Sequence, residues 1–478
     1  MAHTLDELLQ DFATDVPVEA CRVREENKEL QAPILMVLDD DPTGTQSVAD
    51  LPVLTSWETE DIQWALSTGK PAVYIMTNSR SLNPDAAAAI NRDVVRATYR
   101  ALRDYPDIKV SFVSRSDSTL RGHFPLEPNI LADEVKAATG NDVDGIVVIP
   151  AFADAGRITI DGIHYAGSIQ TGFTPVADTE FAKDATFGYK NSSLAKWIEE
   201  KTEGEVTAKD VIAIDLTTLR TDPEGTVEKL KAATNRQPVI CDSVTEDDLR
   251  LLALALNKAE SAGSRFLYRV GPPFVRARIG QEIHPPLTKT EIDAARTGKA
   301  VAKGGLIVIG SHVDLTTRQL NHLREDRKLQ EYEIDVAQIL DTAQRDDHLR
   351  AIIDQATAVL DKEHVIIRTS RKLITGKDAQ SSLDISRQVS ASVVEVVQQI
   401  TKAIRPRFVI AKGGITSSDV ASKGLEIKHA TVIGPMLEGI VSLWRGENKP
   451  SKGIPYIVFA GNVGDETSLS AVVDKLTA

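Results

Sequence analysis

The stretch Ile34-Leu-Met-Val-Leu38-Asp39-Asp40-Asp41-Pro42-Thr43-Gly44-Thr45-Gln46 decides the fold. Its apolar run is too short for an ordinary helix, and it gives way at once to three carboxylates and then to turn residues. A short continuous apolar run bounded by turn signals is the pattern of a strand buried on both faces, as in a parallel sheet covered by helices. The same unit recurs. Ala72-Val-Tyr-Ile-Met76 opens onto Thr77-Asn78-Ser79-Arg80-Ser81, and Val110-Ser-Phe-Val113 onto Ser114-Arg115-Ser116-Asp117-Ser118-Thr119-Leu120-Arg121-Gly122-His123. Gly145-Ile-Val-Val-Ile149 opens onto Pro150-Ala-Phe-Ala-Asp-Ala-Gly156-Arg157. Segments of helical period, Pro84 to Tyr105 and Leu126 to Ala138, fall between these runs. This alternation predicts an α/β fold with mostly parallel sheets.

Outward from that core the series continues through Asp210 to Asp215, Pro238 to Cys241 and Phe266 to Val270. From Gln281 to Gly304 the chain has Pro285-Pro286, several Lys and Thr, and Gly298, Gly304 and Gly305, with no sustained apolar period. A second series then begins, with strands expected at Leu306 to Ile309, Tyr332 to Ile339, Val365 to Arg368, Phe408 to Ala411, Ala430 to Ile433 and Tyr456 to Phe459. The expected organisation is therefore an N-terminal extension (1–32), a first α/β domain (33–280), a linker (281–304) and a second α/β domain (305–478). Two domains also suit the length, since 478 residues exceed what one core ordinarily holds.

The formal net charge of −14 would repel nucleic acid and anionic lipid, so any anionic ligand must be held by a local cluster of positive groups. Cys21 and Cys241 stand far apart and give neither a disulfide framework nor metal spacing, which suits a reducing cytosol. No run approaches a membrane span, and the acidic, amphipathic N-terminus lacks the basic start and apolar run of a signal peptide. A soluble cytoplasmic protein is expected, without nucleic-acid or membrane partners.

The chemistry gathers where strands end, which is where open α/β sheets bind ligands. The three adjacent carboxylates Asp39, Asp40 and Asp41 repel one another unless a cation, a donor or a polyol hydroxyl compensates them, although Asp, Pro, Thr and Gly also make plain turns. Ser79 and Arg80 offer a hydroxyl and a planar fork to an anion, with simple capping of the next helix as the alternative. The segment from Ser114 to His123 carries two Arg, Asp117, several hydroxyls and a Gly, a composition that a solvated turn does not need. A structural ion pair between Asp117 and an Arg is its alternative. Gly156 and Arg157 complete four strand ends of matching chemistry.

In the second domain the strand ends are glycine-rich: Gly310-Ser311-His312, Lys412-Gly413-Gly414-Ile415-Thr416-Ser417 and Gly461-Asn462-Val463-Gly464-Asp465. Glycines let backbone N–H groups approach phosphate oxygens, or else simply let a strand pack tightly on a helix. There is no GxxxxGK[ST] or GxGxxG sequence, so any nucleotide site is neither a P-loop nor a Rossmann site. His312, His364 and His429 lack metal-ligand spacing, and no metal ligands are assigned.

With these residues in view, the chain resembles the four-carbon acid sugar kinase family. The N-terminal half carries the resemblance through Asp40-Asp41-Pro42-Thr43-Gly44, Ser79-Arg80, Asp117-Ser118-Thr119-Leu120-Arg121-Gly122 and Pro150-Ala151-Phe152 through Gly156-Arg157. The C-terminal half carries it through Gly310-Ser311, Gly413-Gly414-Ile415-Thr416-Ser417 and Gly461-Asn462-Val463-Gly464. The resemblance departs at Ile415, where the family usually has Glu, and at Glu438-Gly439-Ile440-Val441, where a Pro-Gly-Val-Pro turn is typical. It implies an acid-sugar-binding first domain, a nucleotide-binding second domain and an active site in the cleft between them. It further implies an ATP- and Mg2+-dependent kinase acting on a terminal hydroxyl of a threonate-, erythronate- or oxo-tetronate-like acid. Asp40, Asp41 and Asp117 are then the catalytic candidates. Ser79, Arg80, Ser118, Arg121, Gly156 and Arg157 are the substrate-binding candidates. Gly310, Ser311, Gly413, Gly414, Thr416, Gly439, Gly461, Asn462 and Gly464 are the nucleotide-binding candidates. The partners expected are the acid sugar and ATP or ADP, with a homodimer left open. The rivals are an aldolase or isomerase acting on similar hydroxy acids, and a non-catalytic sugar-acid or nucleotide sensor.

Overall fold

A computed structural model describes residues 2–297, 302–327, 329–371, 374, 377 and 379–478. They form two compact units: residues up to Val48 with Trp57–Ile283, and Ala49–Ser56 with His284–Ala478. In chain order the strands through the first unit's sequence are β1 (Ile34–Asp39), β2 (Leu51–Leu54), β3 (Ala72–Met76), β4 (Val110–Arg115), β5 (Gly145–Ile149), β6 (Arg157–Ile160), β7 (Ile163–Ser168), β8 (Gly172–Pro175), β9 (Ile212–Ile214), β10 (Gln237–Cys241) and β11 (Phe266–Val270). The remainder are β12 (Leu306–Ile309), β13 (Gln330–Ile334), β14 (Val365–Thr369), β15 (Val409–Lys412), β16 (His429–Leu437), β17 (Ile440–Gly446) and β18 (Pro455–Phe459).

In the first unit seven strands lie in the order β3-β1-β4-β11-β5-β10-β9, every neighbouring pair parallel. Leu35 to Leu38 are buried throughout, as expected of a strand covered on both faces. Crossover helices supply the cover. Pro84–Ala101 starts where Asn83 accepts from the Ala86 N–H at 2.9 Å with Pro at the first helical position, and it buries Ala87, Val94, Val95, Ala97 and Ala101. The register aligns the strand ends: Asp39 is level with Met76 and Arg115, Arg115 with Val270, and Val270 with Ile149. Parallel pairing thus brings five loops to one edge. A small antiparallel sheet, β6-β7-β8, starts at Arg157 and was not expected from the sequence, because its strands are short and mostly half-polar.

The stretch expected to be an N-terminal extension is packed into this unit. Leu5, Leu8, Leu9 and Phe12 lie on Ile158, Ile160 and Phe173, while Val18 and Val23 join Ala253 and Leu254 of the helix Glu246–Ser261.

The second unit orders its strands β13-β14-β12-β15-β18-β17-β16-β2, parallel from β13 to β18 and antiparallel beyond. Its last strand, β2, comes from inside the first domain's sequence, with Leu54 opposite His429. Four apolar residues gave no sign that they leave for another core. The strand expected over Tyr332 to Ile339 ends at Ile334 instead, because Asp335 accepts from the Ala337 N–H at 2.9 Å and caps a helix, Val336–Leu340.

Of the expected linker 281–304, residues 298–301, Gly298 among them, lie outside the described residues. The rest differs from a linker. Thr288 and Glu291 form a capping box that starts the helix Lys289–Ala295, and Leu287, Ile292 and Ala295 enter the second unit's core. Ile292 is 1% exposed. Ile292→Ala should therefore destabilise the protein by about 2–5 kcal/mol, the cost of emptying a core site. Urea denaturation checks this, and an unchanged midpoint would restore the linker reading.

Candidate active site

At the level strand ends of the first unit, charges are buried in pairs. Asp39, fully buried, is ion-paired with Arg115, whose Nη2 also donates to the Asp41 carbonyl at 2.8 Å. Glu127, near the start of the helix Leu126–Thr139, accepts from Arg269 Nη1 at 2.6 Å and from the Ser79 hydroxyl, and Arg269 also donates to Ser114 Oγ at 2.7 Å. Asp40 is different. It is 3% exposed, and neither of its carboxylate oxygens has a hydrogen-bond partner among the described residues. The Arg115 guanidinium meets it only at 3.5 Å. Burial pushes its pKa up to about 7, with the charge of Glu127 adding and those of Arg80 and Arg269 opposing.

The Asp117 to Gly122 loop folds over this carboxylate. His164 Nε2 bonds the Ser118 carbonyl at 2.8 Å, while its Nδ1 lies 2.9 Å from the Thr159 hydroxyl. Burial pushes the His164 pKa down to about 4, so the ring is neutral and donates one N–H to the loop. Tyr189 Oη donates to the Thr119 carbonyl at 2.8 Å. Gly122 has φ +120°, and a Cβ there would stand 2.7 Å from Arg269 Nη2 and 3.0 Å from Asp40 Oδ2, so glycine is what the close approach requires.

Three arginines line the same edge. Arg80 is ion-paired with Asp41 and reaches Asp117 at 3.8 Å. Arg121 Nε donates to Asp117 at 2.6 Å, and its Nη1 lies 3.7 Å from Asp184. Burial acts to raise the Asp117 pKa, but Arg80 and Arg121 outweigh it and hold the carboxyl below the usual range. Arg121 and Arg157 both lie over the Phe181 ring, at 5.5 and 5.3 Å from its centroid.

Asp40, Asp41, Arg80, Asp117, Arg121 and Arg157 are thus brought together. Ser79 and Ser118 stand behind them, the first bonded to Glu127 and the second offering its carbonyl to His164. Gly156 has φ +72°, and a Cβ there would overlap the Gly167 carbonyl, so it is a glycine because it packs directly on β7 where β6 begins. Asp39 and Arg115 lie inside the candidate stretches and Glu127 just after one, although none was singled out, and sequence reasoning passed over Arg269, His164, Phe181 and Asp184. Arg269 had a signal, a charge inside an apolar strand. Phe181 and Asp184, in an irregular segment, had none.

In the second unit, Gly310, Ser311, Gly413, Gly414, Thr416 and Gly461 gather at the ends of β12, β15 and β18. A Cβ at Gly310 would overlap Thr416 Oγ1, one at Gly461 would lie 2.5 Å from Ser311 Oγ, and one at Gly413 would lie 3.1 Å from Ser311 Cβ. A Cβ at Gly414 would meet nothing within 4 Å, so packing does not dictate that glycine. Gly464, at φ +84°, packs on Ser468, and Asn462 is exposed. Gly439 turns the β16–β17 hairpin at φ +64°, and the register of Ser442 with Val458 sets that turn beside Ala460 at the same edge. Lys412, fully buried at the end of β15, was not among the expected site residues.

Comparison with known proteins agrees with this division. Residues 35–278 match the model of a sugar-binding N-terminal domain, and residues 306–469 that of a nucleotide-binding C-terminal domain. A D-erythronate kinase of Heliobacterium modesticaldum is 24% identical over 85% of this chain and 83% of its own. A 3-oxo-tetronate kinase of Methylobacterium radiotolerans is 23% identical over 85% and 89%. Two solved structures share the fold at 17% identity. One is a Salmonella typhimurium LT2 protein described as a tRNA synthase (TM-score 0.63, covering 91% of this chain and 98% of its own), the other a Haemophilus influenzae protein of the DUF1537 family (0.61, 92% and 99%). The chain belongs to the four-carbon acid sugar kinase family. It is an α/β phosphotransferase that acts on an alcohol group of a sugar acid. Among the described residues no helix is long and apolar enough to cross a membrane.

If Gly156 is held by backbone packing, Gly156→Ala should lose at least about 2 kcal/mol of stability, from the left-handed φ and the overlap together. A chemical melt measures this. Wild-type stability with lost acid affinity would show that Gly156 serves the ligand instead.

Proposed function

We propose that the chain transfers the γ-phosphoryl group of ATP to the terminal hydroxyl of a four-carbon acid of the erythronate or 3-oxo-tetronate kind. The observation that carries this reading is Asp40, a buried carboxylate whose two oxygens accept no hydrogen bond from the described residues, beneath a loop that carries Arg121. Phosphoryl transfer asks the protein for positioning, charge neutralisation and a place for the hydroxyl proton. Asp40 accepts that proton as the hydroxyl oxygen attacks phosphorus. Arg80, Arg121 and Arg157 hold the substrate carboxylate and the transferring phosphoryl group, since a planar fork suits both. Asp41 and Asp117 orient the arginines and the substrate hydroxyls. The glycine-walled edge of the second domain receives the nucleotide.

Mg2+ would arrive on the nucleotide and neutralise phosphate charge. Among the described residues no three His, Cys, Asp or Glu side chains gather into a metal cage. A nucleotide-borne Mg2+ needs only one or two carboxylates besides phosphates and water, and the second oxygen of Asp40 fits that need.

Purified protein incubated with Mg-ATP and a panel of four-carbon acids should release ADP in the presence of an acid. Turnover without ATP would point to an aldolase or isomerase, and binding without turnover to a sensor.

Because Asp40 works as a base when ionised, kcat/KM should rise as pH passes through about 7 and level off above it. Asp40→Asn should lower kcat roughly a hundred- to ten-thousandfold. The same variant should melt higher than wild type at pH 8 and gain less at pH 5. The raised pKa means that the folded state binds the proton more tightly than the unfolded chain, so stability is lost as pH rises from the ordinary carboxylate range through about 7 and stays lost above it. An active, pH-independent Asp40→Asn enzyme would remove Asp40 from the reaction.

Arg121→Lys should lose on the order of 1.5–3 kcal/mol in kcat/KM for the acid, because Lys keeps the charge but not the fork. Near-normal kinetics with a lowered melt would make Arg121 a structural partner of Asp117 alone.

A further inference from the structure

We propose that Lys412 is the charged positioning residue of the nucleotide's phosphate site, a step that rests on the nucleotide reading of the second domain given above. Through the carbonyls of Ala460 and Gly461, its ammonium fixes and polarises the two peptide groups whose N–H bonds, those of Gly461 and Asn462, are presented to the phosphates.

The geometry carries this. Lys412 ends β15 with 0% exposure, and its Nζ donates to the Ala460 carbonyl at 2.6 Å and lies 3.5 Å from the Gly461 carbonyl. The Nζ also stands 3.8 Å from the centre of the Phe459 ring. In a planar trans peptide the C=O and N–H point in opposite directions. A carbonyl drawn toward Lys412 therefore turns the N–H of the next residue away from it. Thr316 Oγ1 grips the Gly461 carbonyl from another side at 2.9 Å, so that peptide is doubly fixed. Neither the Gly461 nor the Asn462 N–H bonds a protein acceptor among the described residues. Beside them, the Ser311 hydroxyl accepts from the Val313 N–H at 3.3 Å and lies 3.2 Å from Thr316 Oγ1.

What Lys412 lacks is equally informative. A buried cation ordinarily has a carboxylate partner, because leaving it alone in a dry site is costly. Charged and titratable groups on the neighbouring elements have other partners. His312, in the loop after β12, bonds the Ser370 carbonyl at 2.9 Å, and Arg371, after β14, bonds the Ser311 carbonyl and the Thr317 hydroxyl. Asp419, in the helix Gly414–Asp419, takes Ser390 and Lys423, and Asp465 takes Thr467 and Ser468. None pairs with Lys412. Burial accordingly pushes its pKa down to about 7. A phosphate group at the Gly461 and Asn462 amides supplies the missing negative charge and draws a proton back onto the amine.

The test is calorimetry on the full chain with ADP and with adenosine, for wild type and Lys412→Met, which keeps the apolar stem. The variant should bind ADP about tenfold or more weakly, the scale of a charged hydrogen bond, and bind adenosine as wild type does. At about pH 8, titrations in buffers of different ionisation heat should show wild type taking up protons with ADP but not with adenosine, and the variant with neither. Unchanged ADP affinity in the variant would overturn the proposal, as would the absence of proton uptake in wild type. The wild-type measurement decides the matter even if the variant does not fold. Wild-type protein that binds neither ADP nor adenosine would instead overturn the nucleotide reading, and the Lys412 proposal with it.

Discussion

The first domain depends on one constraint: several charges must be buried at the level ends of parallel strands without leaving them unmatched. Asp39 with Arg115, and Glu127 with Arg269, satisfy it as pairs, each tied by further bonds to Ser114, Ser79 or backbone. Those pairs fill the space so closely that Gly44 and Gly122 admit no side chain. A Cβ at Gly44 would stand 2.5 Å from Arg115 Nε, and one at Gly122 2.7 Å from Arg269 Nη2. Asp40 is what the arrangement leaves over. Its neighbours are already committed to other partners, which makes an ionised Asp40 costly to stability and chemically available.

The second domain meets the opposite constraint at the ends of its own parallel strands. Its strand ends carry glycines and hydroxyls, and beneath them the ammonium of Lys412 sits on backbone carbonyls. Ile415, where the family usually has Glu, is 67% exposed in the first turn of the helix that starts at Gly414. The replacement therefore costs the core nothing and removes a negative charge from the edge at which we place phosphates.

Much of this was legible in the sequence because the parallel sheet has a simple code. Buried strands such as Ile34 to Leu38 announce themselves as apolar runs, and the polar residues after each run must share one edge once the strands are parallel. That logic reached Asp40, Arg80, Asp117, Arg121 and Arg157. It could not reach Glu127 or Arg269 as partners, since pairing between a helix start and a mid-strand residue is a tertiary fact. Nor could it reach β2, which is too short to signal that it belongs to another core, or the helix Lys289–Ala295, whose apolar face spans too few residues to show a period. Lys412 was hidden for a different reason. A lysine at a strand end reads as solvated, and only the packing of the folded chain buries it fully.

The central claim is that phosphate ends on the terminal carbon's oxygen of a four-carbon acid. Proton-coupled phosphorus NMR of the product formed from erythronate and Mg-ATP tests it most directly. The account predicts one new phosphomonoester resonance, split into a triplet by the two protons of a CH2–O–P linkage and growing in step with ADP. A doublet would place the phosphate on a secondary hydroxyl and contradict the assigned geometry. ADP formed without any organic phosphoester, across the four-carbon acids, would contradict the transfer itself.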